Sequence, residues 1–436
     1  MAGGTFTSYT KVRPGAYINI KGADQNTYVS GVRGTMTMPM SLPWGAEGEL
    51  VQISTEDLPE LQSMIGLTTE DEGAQWIRLA FRNCTTAILY RMNQGGVKAT
   101  VSTGGLQVTA KYPGSFGNRI RVAVETAEAA FQVVTYIDTA EKDRQTVSSA
   151  AELQGNTWVD FAAAEEEELV AAAAVSLTGG TDGEEEEDYT GYFAALQNIF
   201  FNTMAIPSTE ETLKEEAVAF VRRLREEEGQ KVQAVLINYP EADYEGILSV
   251  SQGFSDASET VDEKGFCVYA AGMTAGAELN ESNTYHVIEG ATKISSIPEN
   301  LEKALRNGQL LLTYRQDGNV VVEKDINTLH TFTPEKTYTF SKNRVIRCLD
   351  DIANSVRKIF ENKYIGKVNN DASGRSVFKG ELVGYLNQLQ GMGGIQNFSA
   401  ADVTVTAGND ADTIIVDLAI QPVDALEKLY MTVTIA

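Results

Sequence analysis

Residues Leu426–Ala436 read "LEKLYMTVTIA", and the alternation inside them decides how this chain is built. From Leu429 onward, Leu429, Met431, Val433 and Ile435 fall on one side and Tyr430, Thr432 and Thr434 on the other. Period-two alternation of strand-favouring residues predicts a β-strand. Thr432 to Ala436 carry no charged side chain, although chain ends are commonly frayed and polar. A strand needs a neighbour for its backbone N–H and C=O groups, and one left in water is a template for uncontrolled pairing. Two readings compete. The strand joins the chain's own sheet, or it is an arm that completes a sheet in an adjacent copy.

The opposite end carries the same signal. In "RPGAYINI" (Arg13–Ile20), Pro14 and Gly15 break any helix, and Ala16 to Ile20 then reads as a short strand. Between the two ends the period of the sequence changes three times. Strand-like "TYVSGVRGTMTMPM" (Thr27–Met40), a short helix from Ser54 or Thr55, a helix near Ala74–Asn83 and a buried strand at Thr86–Arg91 come first. After Gly95-Gly96, short alternating runs ("LQVTAKY", "RIRVAVE", "FQVVTYID", "TWVDFA") separated by turn residues predict an all-β insert. It closes in the linker-like "LTGGTDGEEEEDYTG" (Leu177–Gly191).

From Tyr192 the pattern becomes α/β. Ser208 with Glu211 suggests a capping box, Leu213 to Leu224 a helical face, and "VQAVLINY" (Val232–Tyr239) a fully covered strand. "FCVYAAG" (Phe266–Gly272) and "HVIEGA" (His286–Ala291) read as further strands, "PENLEKALRNG" as a short helix, and Asp317-Gly318 as a hairpin turn. Val345, Leu349, Ile352, Val356 and Ile359 mark a helix behind a cap at Ser341. A second helix spans about Val377–Leu389, before two or three closing strands.

Composition narrows the function classes. The net charge is −25, which repels phosphate backbones and anionic lipid, so nucleic acid and membrane surfaces are poor direct partners. No apolar run approaches the ~18 residues of a membrane span, and the first residues lack a signal core. Cys84, Cys267 and Cys348 are far apart and read as buried thiols in a reducing cytosol. His286 and His330 lack ligand-spaced partners and read as structural. The acidic runs Glu165–Glu168 and Glu184–Asp188 read as solvated surface. Asp182 and these glutamates offer hard oxygens for calcium, but at no ligand-loop spacing. No phosphate loop, dinucleotide loop, nucleophile elbow or zinc pattern occurs. No catalytic, cofactor-binding or metal-ligating residue is therefore assigned, and an enzyme built on the α/β region is the weakest of three function classes.

Charge is uneven along the chain: residues 301–400 hold 14 basic and 10 acidic side chains within a molecule of net −25. Lys342, Arg344, Arg347, Arg357 and Lys358 are accordingly candidates to face an acidic partner, against the plainer reading that they solvate an amphipathic helix.

Several stretches together resemble the contractile phage tail sheath family, in the form found in Gram-positive prophages and phage-tail-like bacteriocins. They are "RPGAYINI", "IRLAFRNCTTAILYRM" (Ile77–Met92), "AKYPGSFGNRIRVAV" (Ala110–Val124), "LTGGTDG" (Leu177–Gly183) and "QPVDALEKLYMTVTI" (Gln421–Ile435). The order and spacing of these stretches, over nearly the whole chain, carry the likeness; the two acidic runs have no counterpart in it. The resemblance implies a subunit polymerising as stacked sixfold rings around an inner tail tube protein, with baseplate and tail terminator proteins as further partners. It implies synthesis in the bacterial cytoplasm and release within a particle. It also implies terminal arms that enter sheets of neighbouring C-terminal domains. Tyr17, Ile18 and Ile20 would lie in the N-terminal arm; Tyr430, Met431, Val433 and Ile435 in the C-terminal one. The basic residues of 342–358 would then face the tube.

The expected fold is an α+β multidomain chain. An N-terminal arm (1–22) precedes a central α/β domain (23–96 and 190–330), which is interrupted by an inserted all-β domain (97–189). A C-terminal α+β assembly domain (331–436), ending in an arm at 428–436, would be completed by strand exchange between subunits. A non-contractile structural or adhesive lattice protein with the same exchanging ends is the alternative function.

Overall fold

The computed structural model describes residues 2–4, 15–17, 33–128, 130–164, 168–184 and 189–435. Its centre is a six-stranded sheet in the order Ile247–Val250, Gln233–Ile237, Thr203–Ile206, Thr35–Met40, Thr86–Arg91, Leu50–Ser54. Neighbours are parallel except Leu50–Ser54, which runs antiparallel to Thr86–Arg91. Parallel strands need both faces covered, and every residue of Gln233–Ile237 is buried. Met36, Leu89 and Val235 face a core shared with helices Gln75–Phe81 and Glu263–Gly276. Tyr90, Ile206 and Leu236 face the opposite core, shared with helices Tyr189–Leu196 and Glu211–Arg222.

Three local expectations are corrected here. "FCVYAAG" lies inside the helix Glu263–Gly276, whose Asp262 side chain accepts from Gly265 N–H at 2.8 Å. That helix is buried almost all round, so its apolar residues show no 3.6-residue stripe and resemble a covered strand. "HVIEGA" is a loop touching the sheet system through one bridge, Val287 to Val321. The helix Glu211–Arg222 starts without a side-chain cap, and the Ser208 hydroxyl instead accepts from Glu210 N–H at 3.3 Å. The hairpin at Asp317-Gly318 forms as expected: Leu312–Tyr314 pairs with Val320–Val322, and Gly318 takes a φ of +87°. The three cysteines are buried and free; burial pushes the Cys84 and Cys348 thiols up to about 12, which makes them inert.

The insert between Thr86–Arg91 and Tyr189–Leu196 is β-structure. A four-stranded antiparallel sheet (Ala140–Val147, Ala130–Ile137, Ile120–Ala127, Ala172–Ser176) and a three-stranded one (Val159–Ala163, Leu106–Ala110, Thr100–Thr103) enclose one core. Trp44, from the loop after Thr35–Met40, is fully buried in that core with Phe116 and Trp158 at ring distances of 5.3 and 6.2 Å. The central domain thus plugs the base of the sandwich with its own tryptophan.

The polypeptide crosses this junction twice, and both crossings are tied down. Arg91, fully buried, donates to the carbonyls of Gly45 and Pro113. The Asp182 carboxylate accepts from Ser115 N–H (2.5 Å) and Oγ (2.8 Å), and its backbone carbonyl accepts from Asn93 Nδ2, so the residue considered for calcium staples the returning chain to the insert and to the outgoing chain. No metal-sized cluster of ligands exists among the described residues. A Cβ on Gly183 (φ +81°) would sit 2.1 Å from the Gln94 carbonyl oxygen, which gives the last glycine of "LTGGTDG" a steric cause.

The C-terminal region packs two long helices, Asn343–Lys363 and Ala372–Gly391, against a two-stranded hairpin, Val403–Ala407 with Ile414–Leu418. Ser341 does not cap the first helix; its hydroxyl donates to the Tyr338 carbonyl. That helix is welded to the central domain. Arg225 makes a buried two-pronged pair with Asp350 (2.6 and 2.8 Å), and Asp325 binds both Arg347 (3.0 Å) and Asn343 (2.9 Å).

Two outcomes follow for stability. Gly183→Ala combines a disfavoured φ with a backbone clash and should lower urea-measured stability by more than the ~1–3 kcal/mol of a strained φ alone. Gly95→Ala, at φ +74° with nothing within 4 Å, should show only the φ cost. Arg225→Met leaves Asp350 as an uncompensated buried charge and should cost about 3–5 kcal/mol, part of which returns when Asp350→Leu is added.

Candidate assembly surface

The tail predicted as a strand leaves the body with its side chains in water. Its last backbone hydrogen bond among the described residues runs from Val423 N–H to the Gly394 carbonyl, 3.0 Å. Beyond it, residues 424–435 have no strand partner among the described residues. Tyr430 and Ile435 are 90% and 94% exposed, and Leu429, Met431 and Val433 nearly as much. A contiguous run of large apolar side chains in solvent is rare on a self-sufficient surface and marks an interaction segment.

The same region holds an unfinished sheet. Val403–Ala407 and Ile414–Leu418 pair only with each other among the described residues, so each presents an open ladder edge. Val403 and Val405 pack on the helices, whereas Ile415 and Val416 are substantially exposed. A two-stranded ribbon is marginal by itself and gains from added strands.

At the other terminus, Gly15–Tyr17 pairs in parallel with Ala2–Gly4, so Tyr17 lies on a three-residue strand. Ile18 and Ile20 lie outside the described residues, as does Pro14.

The five basic candidates divide. Lys342 and Arg347 are buried in ion pairs within the chain, with Glu427 and Asp424 for the first and Asp325 for the second. Arg347 thereby ties the long helix to the central domain, and Lys342 ties the tail to the start of that helix. Arg344 is half-buried and its guanidinium is lowered, first by burial and against that by Asp424. Arg357 and Lys358 are exposed; Arg357 pairs with Glu361 (2.7 Å) and donates to the Glu228 carbonyl. These two line a groove of about 630 Å³ between the long helix and the central domain, together with Phe200, Lys231 and Asn354. Sequence periodicity marks the helix face but not which of its cations meet a carboxylate from a distant segment.

Three phage tail sheath domain descriptions match this chain: the beta-sandwich domain over residues 94–182, the central domain over 182–328 and the C-terminal domain over 335–436. The chain is 36% identical to the phage-like element PBSX protein XkdK of Bacillus subtilis, over all of both chains. It is 39% identical to the sheath tail protein of Desulfitobacterium hafniense, covering 96% of this chain and 99% of that one at a TM-score of 0.80. The helical sheath of the anti-feeding prophage in its contracted state shares the fold alone, at 13% identity and a TM-score of 0.56 over 98% of this chain and 99% of that one. By the sandwich, the central sheet, the helical C-terminal region and full-length identity to its relatives, the chain belongs to the phage tail sheath protein family.

Proposed function

We propose that this chain is the subunit of a contractile sheath, assembled as stacked sixfold rings around an inner tube and joined from copy to copy by strand exchange. The observation that carries the proposal is one pairing problem seen from both sides. Among the described residues, an exposed apolar tail has no ladder partner, and a two-stranded sheet in the same domain has two open edges. Each subunit offers what another lacks. Tyr430, Met431, Val433 and Ile435 supply the C-terminal strand; Tyr17, Ile18 and Ile20 supply the N-terminal one, entering the hairpin edges of neighbours.

A strand of six residues adds a handful of ladder hydrogen bonds, each worth about 0.5–1.5 kcal/mol net, plus burial of its apolar side. Two such tethers per copy, repeated through a lattice, hold it against large shear. The role is structural and non-catalytic, so the work of contraction is stored at assembly in a metastable extended lattice. A baseplate triggers its release; a tail terminator closes the far end. Arms that pivot while their pairing survives let rigid bodies rotate without dissociating. Arg357 and Lys358, exposed on the long helix, are the members of the basic set available to meet the tube through weak, breakable pairs. The particle is built in the bacterial cytoplasm and works outside it.

Removing Leu429–Ala436 or Met1–Ile20 should leave a folded monomer that no longer forms hollow cylinders under the electron microscope. Cylinders from either truncated chain would count against strand exchange. Reversing charge at Arg357 and Lys358 should impair polymerisation on tubes while self-assembly without tubes persists. Undiminished sheathing of tubes would remove these residues from that contact.

A further inference from the structure

The C-terminal tail is held and free within a few residues, and the change has an identifiable cause. Lys342 sits immediately before the helix Asn343–Lys363 with its side chain 4% exposed. Its ammonium contacts the Glu427 carboxylate directly and lies 3.5 Å from Asp424 Oδ2. The Glu427 oxygen that it meets also accepts from Thr284 Oγ1 at 2.9 Å. Thr284 belongs to the central region, and its hydroxyl oxygen in turn accepts from Asp325 N–H at 3.0 Å. Asp325 is the carboxylate that binds Asn343 and Arg347. One carboxylate near the chain's end is thus gripped from two domains at once. Two residues later, Leu429 is 84% exposed.

We infer that Lys342, with Thr284, is the anchor of the C-terminal arm: it fixes where and in which direction the arm leaves the body, and it makes the arm's root move with the central domain. Taking a lysine ammonium out of water is costly unless it is paired. The carboxylates that meet Lys342 are on the tail, so releasing the root strands a buried charge. The arm is therefore part of the rigid body up to Glu427, and its pairing residues begin only after the anchor. A fixed departure point restricts which neighbouring edge a short strand reaches, and it transmits rotation of the body to the joint. A tail rooted by apolar contact alone would swivel.

This inference rests on the strand-exchange reading, and the test separates the two. In the full-length chain, held unassembled at low concentration, Lys342→Met and Glu427→Ala should each speed amide hydrogen exchange at Val423, whose N–H is bonded to the Gly394 carbonyl, by about tenfold or more, with the exchange of the hairpin strands unchanged. The same variants, allowed to polymerise, should give fewer or irregular cylinders, while the exchanged pair Lys342→Glu with Glu427→Lys should recover part of both properties. The Leu429–Ala436 deletion runs alongside as the reference for loss of the arm. If neither variant accelerates exchange at the root, or if the root loosens and cylinders form as before, the anchor is refuted. If instead the deletion itself polymerises normally, strand exchange fails, and the exchange rates alone decide whether Lys342 holds the root.

Discussion

Every backbone donor and acceptor in a β-strand needs a partner, and among the described residues the C-terminal region leaves a tail and two sheet edges without a strand beside them. The tail from Leu429 to Ile435 exposes its apolar residues to water, and the hairpin Val403–Ala407/Ile414–Leu418 ends at two open edges. A protein selected to act alone covers, shortens or charges such edges. Neither the alternation nor the uncharged end of this tail does so. What looks like a defect in the monomer is, on the proposed reading, the bond of the polymer.

The remainder of the molecule is arranged to be rigid. Trp44 fills the floor of the sandwich, Arg91 and Asp182 staple the two crossings into it, and Arg225–Asp350 and Asp325–Arg347 fasten the long helix to the central domain. Buried ion pairs of this kind contribute little net stability compared with apolar packing, but breaking one is costly. They specify relative placement. A sheath subunit of this build fixes the placement of its domains with buried pairs, and the ion pair at Lys342 marks where the body gives way to the exposed C-terminal tail.

Much of this was readable in the residues, and the exceptions share a cause. The strand Thr86–Arg91 and the turn at Gly318 follow from local pattern and backbone chemistry, and so does the long helix beginning near Val345. The helix Glu263–Gly276 was not legible as a helix because a segment buried on all sides carries no amphipathic stripe. Ser208 and Ser341 have the right residue type for caps, but their hydroxyls find nearer partners. Lys342 and Arg347 read as surface charge because Glu427 and Asp325 lie 85 and 22 residues away in sequence. No periodicity reports a partner so remote. The glycines of "LTGGTDG" signalled a linker by composition; the close backbone approaches of Gly183 to Gln94 and of Gly180 to Gly114 are visible only in three dimensions.

The account turns on where the C-terminal tail goes when subunits meet. Cryo-electron microscopy of the assembled polymer, at a resolution that traces main chain, answers this directly. Leu429–Ile435 should be seen hydrogen-bonded along an edge of the Val403–Ala407/Ile414–Leu418 hairpin of another copy. Density showing the same residues folded onto their own subunit, or projecting unpaired from a stable cylinder, would contradict it.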